Sequence, residues 1–274
     1  MVQPRAVMTI AGSDSGGGAG IEADLRTFAA LGVHGTVALT AITAQNTYSV
    51  TAVCPLEAEM VAAQVTTVTD DIELTAVKTG MLARPRTVEA VAELAARGLL
   101  PRLVVDPVLV SSSGHALMED GGTDAYRKAL LPHALLTTPN LREAAVLGRV
   151  DVRELSTLDA IVTVGREILS LGPRYVLIKG GHFLEGAVTQ DRAPDVLLGP
   201  DGEVVLDGPR IDTPNDHGTG CSLAAACVAY LALDQDVPTA VANAKSYVAR
   251  ALAGAAAWRI GKGHGPIDHM GWNA

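Results

Sequence analysis

Short apolar segments alternate with helix-like segments along most of this chain, and this alternation restricts the possible fold more than any other feature. The apolar segments show little polar alternation, which is typical of strands covered on both faces. Strands are predicted at 5–11, 35–42, 75–79, 102–106, 134–138 and 174–179. Helices are predicted at 20–31, 56–69, 86–98, 121–131, 140–147, 157–171, 218–233 and 237–256. We therefore expect an α/β fold, a doubly wound and mainly parallel sheet with helices on both faces.

A different pattern occupies residues 194–213, where "DGE" at 201–203 is typical of a turn between two antiparallel strands. This segment predicts a small antiparallel edge to the sheet. The chain has 274 residues, 48% of them hydrophobic, which is ample for a large core. No linker, repeat or low-complexity segment interrupts the alternation, so residues 1–274 are expected to form a single domain.

Composition excludes several classes of function. The 21 Lys and Arg residues against 30 Asp and Glu give a net charge of −9, which disfavours nonspecific binding to nucleic acid. The three cysteines have no metal-binding spacing and are too sparse for a disulfide scaffold, so a cytoplasmic protein is expected. The most apolar stretch, 221–233, is shorter than the ~20 residues that cross a bilayer, so no membrane association is expected.

The glycine-rich loop at residues 12–20, "GSDSGGGAG", follows the first predicted strand and is similar in appearance to a phosphate-binding turn. Its spacing fits neither standard motif. G-x-G-x-x-G counted from Gly16 or Gly18 ends on Ile21 or Ala23, and the Walker A pattern counted from Gly12 has Gly18 where lysine is required. The loop therefore predicts close backbone approach to a ligand, or only a tight turn, rather than a nucleotide cradle.

A second glycine-led helix start lies in "TPNDHGTGCSLA", residues 213–224. Gly218, Thr219 and Gly220 precede an apolar helix whose first amides would point outward with the positive end of the helix dipole. Such a helix start can bind an oxyanion or a phosphoryl group in transfer. Cys221 would lie in the first turn, where the same field lowers a thiol pKa, although a lone cysteine is more often a small core residue.

Polar residues follow several predicted strands at the sheet edge where ligands bind in open α/β folds. Each has a structural alternative, such as a helix cap for Asn140 and Glu143 or a turn for Asp106. Taken together they are typical of phosphoryl transfer, because lysine offsets phosphate charge and carboxylates hold Mg²⁺ through water. The residues concerned are Lys78, Asp106, Asn140, Glu143 and Lys179.

Seven segments together resemble the hydroxymethylpyrimidine/phosphomethylpyrimidine kinases of thiamin biosynthesis, within the ribokinase superfamily. They are "AGSDSGGGAGIEADL", "TAITAQNT", "VKTGML", "VVDPVLVSSSG", "TPNLREA", "IKGGH" and "HGTGCSLAAA", with "GKGHGPIDH" near the end of the chain. The resemblance runs in order from residue 7 to about 269. It implies a ribokinase-like fold and transfer of the ATP γ-phosphoryl group, with Mg²⁺, to 4-amino-5-hydroxymethyl-2-methylpyrimidine and then to its monophosphate. It also implies a homodimer.

Residue roles follow from the same resemblance. The pyrimidine pocket would be lined by Gly12, Asp24, Gln45, Met81 and Val108. The anion hole would be formed by Gly218, Thr219, Gly220 and Cys221, with Cys221 assisting removal of the hydroxymethyl proton. Lys179 would neutralise ATP phosphate, while Asp106, Asn140 and Glu143 would organise Mg²⁺ and its waters, with Asp106 and Glu143 acting on the metal through water.

The sequence departs from the family pattern at two places. Ser111, Ser112 and Ser113 stand where relatives often carry a lysine, and Pro214-Asn215-Asp216 stands where they often carry Lys-Asn-Thr. Loss of positive charge and the added Asp216 carboxylate predict either a slower second phosphorylation, since that acceptor already carries a phosphate, or an altered choice of substrate.

Three other functions compete with this interpretation. A pyridoxal or pyridoxine kinase acts on a similar hydroxymethyl-bearing heteroaromatic ring. A dinucleotide-dependent oxidoreductase lacks its required glycine fingerprint here. A non-catalytic pyrimidine-binding relative would not need Asp106, Lys179 and the G-T-G-C helix start.

Overall fold

The computed structural model describes residues 3–109, 117–180 and 192–273. Within these residues eight strands form one sheet in the order β10-β9-β8-β7-β6-β5-β1-β2. The neighbouring strands β2, β1, β5, β6, β7 and β8 are parallel to one another. Strands β9 and β10 extend the sheet beyond β8 with antiparallel pairing. They are β1 (Ala6–Ala11), β2 (His34–Leu39), β5 (Leu74–Thr79), β6 (Val104–Val105), β7 (Leu136–Thr137), β8 (Tyr175–Ile178), β9 (Asp195–Gly199) and β10 (Gly202–Leu206). This is the predicted mainly parallel sheet with an antiparallel edge.

Helices cover both faces of the sheet because successive strand residues point to opposite sides. Val77 and Val105 belong to one core, packed with Val61 and Val88, whereas the neighbouring Ala76 and Val104 belong to the other. The helices are α1 (Gly20–Ala30), α2 (Ala58–Thr69), α3 (Pro85–Ala96), α4 (Gly122–Ala125), α5 (Leu141–Gly148), α6 (Leu158–Leu169), α7 (Thr219–Ala232) and α8 (Val237–Ala255). The second core is built largely from the alanine-rich face of α7 and from α8.

The predicted strand at 35–42 is wrong as a single element. It ends at Leu39, and the chain begins a separate antiparallel hairpin of β3 (Ala41–Gln45) and β4 (Val50–Pro55). Thr40 marks the break, because its buried hydroxyl donates to the Met81 carbonyl at 2.6 Å. Most residues of β4 are exposed, so this strand lacks the apolar pattern that identified the others.

Among the described residues, no helix has both the length and the apolar character that crossing a membrane requires.

Candidate active site

The carboxyl ends of β6, β7 and β8 bring three predicted site residues together. Lys179 Nζ donates to Asp106 Oδ1 at 2.8 Å, and the Thr138 hydroxyl donates to the same oxygen at 2.9 Å. Asp106 is 2% exposed while the Lys179 side chain keeps 15% of its surface exposed. Asn140 pairs with Lys179 as an extension of the parallel sheet. The lysine is therefore fixed at its base and accessible at its ammonium group.

Asn140 and Glu143 form the capping box of α5, which is the structural alternative noted for them. The Asn140 side chain accepts from the Glu143 amide at 2.9 Å, and Glu143 Oε2 accepts from the Asn140 amide at 2.8 Å. Burial raises the pKa of Glu143 to about 7, with Lys179 opposing the rise and Asp106 adding to it. Glu143 therefore both caps α5 and lies near Lys179.

Lys78 and Asp24 form an ion pair with no exposed surface. Lys78 Nζ donates to both Asp24 oxygens at 2.8 Å, and Thr9 donates to Asp24 Oδ2 at 2.6 Å. Burial alone would lower the pKa of Lys78, but the Asp24 carboxylate outweighs it and the ammonium stays charged. The prediction that Asp24 lines the pyrimidine pocket does not fit this structure, because its carboxylate is enclosed by partners inside the protein. Asp24 instead fixes Lys78.

The α7 junction, residues 217–221, has the open helix start that the sequence predicts. Gly218 adopts φ +84°, and a Cβ there would lie 1.9 Å from the Gly18 carbonyl oxygen. No side chain caps α7, and the amides of Gly220 and Cys221 have no hydrogen-bond acceptor among the described residues. A Cβ at Gly220 would lie 3.2 Å from Lys179 Nζ. The open amides and the lysine ammonium thus border the same space.

The predicted low pKa of Cys221 is wrong. Burial raises it to about 11, and the nearby carboxylates Asp24 and Asp106 add to the increase. Lys78 and the Gly20 amide act in the opposite direction without overcoming it. Desolvation therefore dominates the pKa of Cys221, and the thiol is protonated near pH 7.

The amides of the glycine-rich loop bind a carboxylate of the chain itself, that of Asp14. The buried Asp14 carboxylate accepts from the amides of Gly16, Gly18 and Ala19 at 2.8–3.0 Å. His217 Nε2 lies 2.9 Å from Asp14 Oδ2, which joins the loop to the α7 junction. The amides that would bind a phosphate are thus occupied by Asp14, in agreement with the failed motif spacing.

Four of the predicted pyrimidine-pocket residues, Gly12, Gln45, Met81 and Val108, lie in or beside this loop and the β3–β4 hairpin. A Cβ at Gly12 would lie 2.2 Å from Met81 Cε, so the two are in direct contact. Met81 and Val108 belong to a small apolar cluster with Ala41 and Ala83, which we call the acceptor cluster. Gln45 Nε2 lies 3.3 Å from His217 Nε2 and so connects this region to the α7 junction.

Ser111, Ser112 and Ser113 lie outside the described residues, as does the segment that follows Gly180. Two residues that the sequence interpretation gave no role, Thr138 and His217, contact the site directly. His217 stands in the quoted motif "HGTGC", and its position before a helix-start glycine was an available signal.

The residues present suit a metal ion that arrives with its ligand. The described part of the chain contains no group of three or more His, Cys, Asp or Glu residues able to hold a metal. Asp106 and Glu143 nevertheless supply two carboxylates near Lys179. Mg²⁺ in phosphoryl-transfer sites is usually held by one or two carboxylates together with substrate phosphates and water.

Comparison with known proteins gives a consistent result. A family model for phosphomethylpyrimidine kinase matches residues 14–268. A hydroxymethylpyrimidine/phosphomethylpyrimidine kinase from Streptomyces coelicolor is 48% identical over 99% of this chain and 96% of its own length. A solved phosphomethylpyrimidine kinase from Clostridium difficile has a TM-score of 0.78 and 40% identity, covering 90% of this chain and 99% of its own. A pyridoxal kinase from Staphylococcus aureus, solved with AMP-PCP and pyridoxal, has a TM-score of 0.87 and 35% identity, covering 99% and 96%.

The predicted ribokinase-like fold and the predicted kinase family are thereby confirmed, and the chain belongs to the phosphomethylpyrimidine kinase family.

Proposed function

We propose that this protein transfers the γ-phosphoryl group of ATP to 4-amino-5-hydroxymethyl-2-methylpyrimidine and then to its monophosphate, in thiamin biosynthesis. The observation that carries the proposal is the open start of α7, where uncapped amides border the Lys179 ammonium group. An apolar cluster suited to a small methylated ring lies nearby, with Gln45 able to donate to and accept from an aminopyrimidine edge.

Separate groups are proposed to bind the transferring phosphoryl group and the remaining phosphates of ATP. Gly218, Thr219, Gly220 and Cys221 form the anion hole, and the open amides of Gly220 and Cys221 stabilise the phosphoryl group in transfer, since a helix start favours negative charge. Lys179 offsets the phosphate charge of ATP, supported by its 2.8 Å bond to Asp106. Mg²⁺, held by ATP phosphates and reached through water by Asp106, Asn140 and Glu143, would supply further charge neutralisation when bound.

Cys221 is the proposed group beside the hydroxymethyl oxygen. Burial keeps its thiol protonated near pH 7, so it does not begin as a base. In a loose phosphoryl transfer the hydroxyl proton leaves late, once the attacking oxygen bonds to phosphorus. Cys221 can accept that proton only as the thiolate, so its own thiol proton must first be lost to solvent. Lys78 and the Gly20 amide both favour this thiolate, which would then take the hydroxymethyl proton.

A second candidate is pyridoxal kinase activity. It is favoured by the higher TM-score with the Staphylococcus aureus pyridoxal kinase than with the Clostridium difficile enzyme. The shared chemistry is a hydroxymethyl group on a heteroaromatic ring, which the same amides and lysine can serve.

The deciding experiment incubates the protein with Mg-ATP and either the hydroxymethylpyrimidine, its monophosphate, or pyridoxal, and identifies products by mass. We expect mono- and pyrophosphate products of the pyrimidine. Lys179→Met should be inactive, whereas Cys54→Ser, on the exposed strand β4, should match the wild type. Phosphorylation of pyridoxal alone would refute the first proposal and establish the second.

We further propose a homodimer that works in the cytoplasm. This rests on the family resemblance, and the exposed Ile42, Ala44 and Ala52 share one face of the β3–β4 hairpin and offer an apolar surface for a second copy. Sedimentation of the purified protein tests the dimer, and a monomer across micromolar concentrations would contradict it.

A further inference from the structure

Main-chain hydrogen bonds connect the last part of the described chain to the segment that leads into α7. Residues 261–269, which we call the C-terminal strap, follow α8 and run back to the α7 junction. The Gly265 carbonyl accepts from the His217 amide at 3.1 Å, and the Gly265 amide donates to the Pro214 carbonyl at 3.2 Å. The buried Asn215 side chain donates to the Ala255 carbonyl at 2.8 Å. The two Gly265 bonds therefore hold the strap to the α7 junction, and the Asn215 bond holds the end of α8 beside it.

The side chain of His269, in the C-terminal strap, contacts α7 directly. His269 is 4% exposed, and its Nε2 lies 2.8 Å from the hydroxyl oxygen of Ser222, the residue after Cys221. Ser222 Oγ also lies 2.9 Å from the Gly218 carbonyl oxygen. A carbonyl can only accept, so all three groups are bonded when His269 Nε2–H donates to Ser222 and Ser222 donates to Gly218.

The Gly218 carbonyl belongs to the peptide unit that leads into α7. That peptide unit carries the Thr219 amide and is followed directly by the units that carry the Gly220 and Cys221 amides. Fixing its plane therefore restrains where the open amides begin. It accepts from the Ser222 hydroxyl and from the Ser222 amide, which lies at 2.9 Å. Because a hydrogen-bonded chain polarises and stiffens its members, His269 restrains the carbonyl more strongly than Ser222 could alone.

We propose that His269 is a positioning residue for phosphoryl transfer, aiming the amides of the α7 junction through Ser222 and the Gly218 carbonyl. This rests on the proposed function. Donors to a transferring group must be held within about half an ångström of their productive positions, and misplacement by ~1 Å costs as much as 100-fold in rate. His269 touches neither acceptor cluster nor Lys179 among its described contacts, so its effect falls on transfer rather than on acceptor binding.

Burial lowers the pKa of His269 to about 4, with nearby Arg26 acting in the same direction. The ring is therefore neutral near pH 7, and its contribution is geometric rather than a long-range charge.

Four variants test the proposal. His269→Leu removes the ring nitrogen, and Ser222→Ala removes the middle of the chain. His269→Gln restores a donor near the position of Nε2. Tyr247→Phe is the matched control, because the Tyr247 hydroxyl donates at 2.9 Å to the main-chain carbonyl of His269 and holds the same residue without touching its ring.

We expect His269→Leu and Ser222→Ala to lower kcat for the hydroxymethylpyrimidine by ~10- to 100-fold while KM changes less than about twofold. His269→Gln should recover most of kcat, and Tyr247→Phe should lower Tm while kcat stays near wild type. Equal loss of kcat in Tyr247→Phe, or no recovery in His269→Gln, would overturn the proposal. Should His269→Leu fail to fold, Ser222→Ala against Tyr247→Phe decides.

Calorimetric titration with AMP-PCP separates this proposal from the proposed function. On this proposal its terminal phosphonate binds the α7 amides, and no phosphoryl-accepting substrate needs to be present. Weaker binding in His269→Leu and Ser222→Ala than in Tyr247→Phe supports the positioning role even if the wild type phosphorylates neither acceptor. Equal affinities in all variants, together with equal turnover, would refute it.

Discussion

Two glycine-led turns in this protein lead into helices at the same edge of the sheet, and they differ in what their amides do. The glycine-rich loop before α1 has more glycines, but the amides of Gly16, Gly18 and Ala19 all donate to the Asp14 carboxylate. The α7 junction has fewer glycines, and its Gly220 and Cys221 amides have no acceptor within the described residues. Only the second is open to an added anion.

The difference shows that the number of glycines does not identify an anion site. Glycine permits the backbone to turn its amides inward, and the neighbouring side chains decide whether those amides remain available. Asp14 fills the first nest with a carboxylate of the chain itself. The two turns then pack together, because Gly18 contacts Gly218 and Asp14 contacts His217. The closed turn supports the open one.

The largest effect is expected from Gly218→Ala, which breaks the contact between the turns. A Cβ would lie 1.9 Å from the Gly18 carbonyl oxygen, at a φ of +84° that alanine adopts at a cost of about 1–2 kcal/mol. We expect a fall in Tm and a loss of more than ~100-fold in kcat. Gly98→Ala is the control, since its φ is +78° with nothing within 4 Å. Equal behaviour of the two variants would show that backbone strain alone matters.

Asp14→Ala should convert the closed turn into an open one. Removing the carboxylate takes away the acceptor that three amides and His217 share. We expect the free energy of unfolding to fall by about 3 kcal/mol. Inorganic phosphate should then raise Tm more in this variant than in the wild type, because it can refill the vacated nest. Identical phosphate shifts in both proteins would contradict the comparison.

The thiol at the open turn should react slowly for its position. A pKa of about 11 against an ordinary 9.0 means ~100-fold less thiolate below pH 9. In a Cys54→Ser background, we expect iodoacetamide to modify Cys221 more slowly than a free thiol, with a rate that still rises at pH 10. A plateau near pH 8 would show a lowered pKa instead.

Cys221→Ala provides the kinetic counterpart. It should leave binding of the hydroxymethylpyrimidine nearly unchanged while lowering kcat by ~100-fold, the ordinary contribution of a proton-transfer group. Unchanged turnover would remove Cys221 from the proposed catalytic set.

The smallest effect concerns the charge next to the open turn. Asp216 Oδ1 lies 2.8 Å from His264 Nδ1, so the added carboxylate has a partner in the C-terminal strap. Both side chains are well exposed, and solvent screens them. We expect Asp216→Asn to raise the rate on the pyrimidine monophosphate relative to the free pyrimidine by ~2- to 5-fold, and His264→Gln to lower that ratio. Unchanged ratios would remove this pair from substrate choice.

Sequence patterns predicted the parts of this molecule that depend on local rules. Continuous apolar runs identified the parallel strands, and the capping box of Asn140 and Glu143 identified the start of α5. The break at Thr40 and the exposed strand β4 were missed, because the first depends on a contact with Met81 and the second buries little apolar surface.

The site shows the same division. Failed spacing in the glycine-rich loop and the open start of α7 could both be inferred from residue order. The enclosure of Asp24 by Lys78 and Thr9 could not, nor could the high pKa of Cys221, since both depend on how many charged groups the fold buries together.

The contact between Asp14 and His217 joins residues 203 positions apart in the chain. Such pairings form late, because closing a long loop costs entropy before the contact stabilises it. During synthesis, the strands and helices of the first half can pack while the open turn does not yet exist. The C-terminal strap that fastens this turn is synthesised later still, because it follows α8 in the chain. A chain that has not yet reached residues 261–269 therefore lacks the bonds that hold the α7 junction, and the alignment of the junction amides comes late in synthesis.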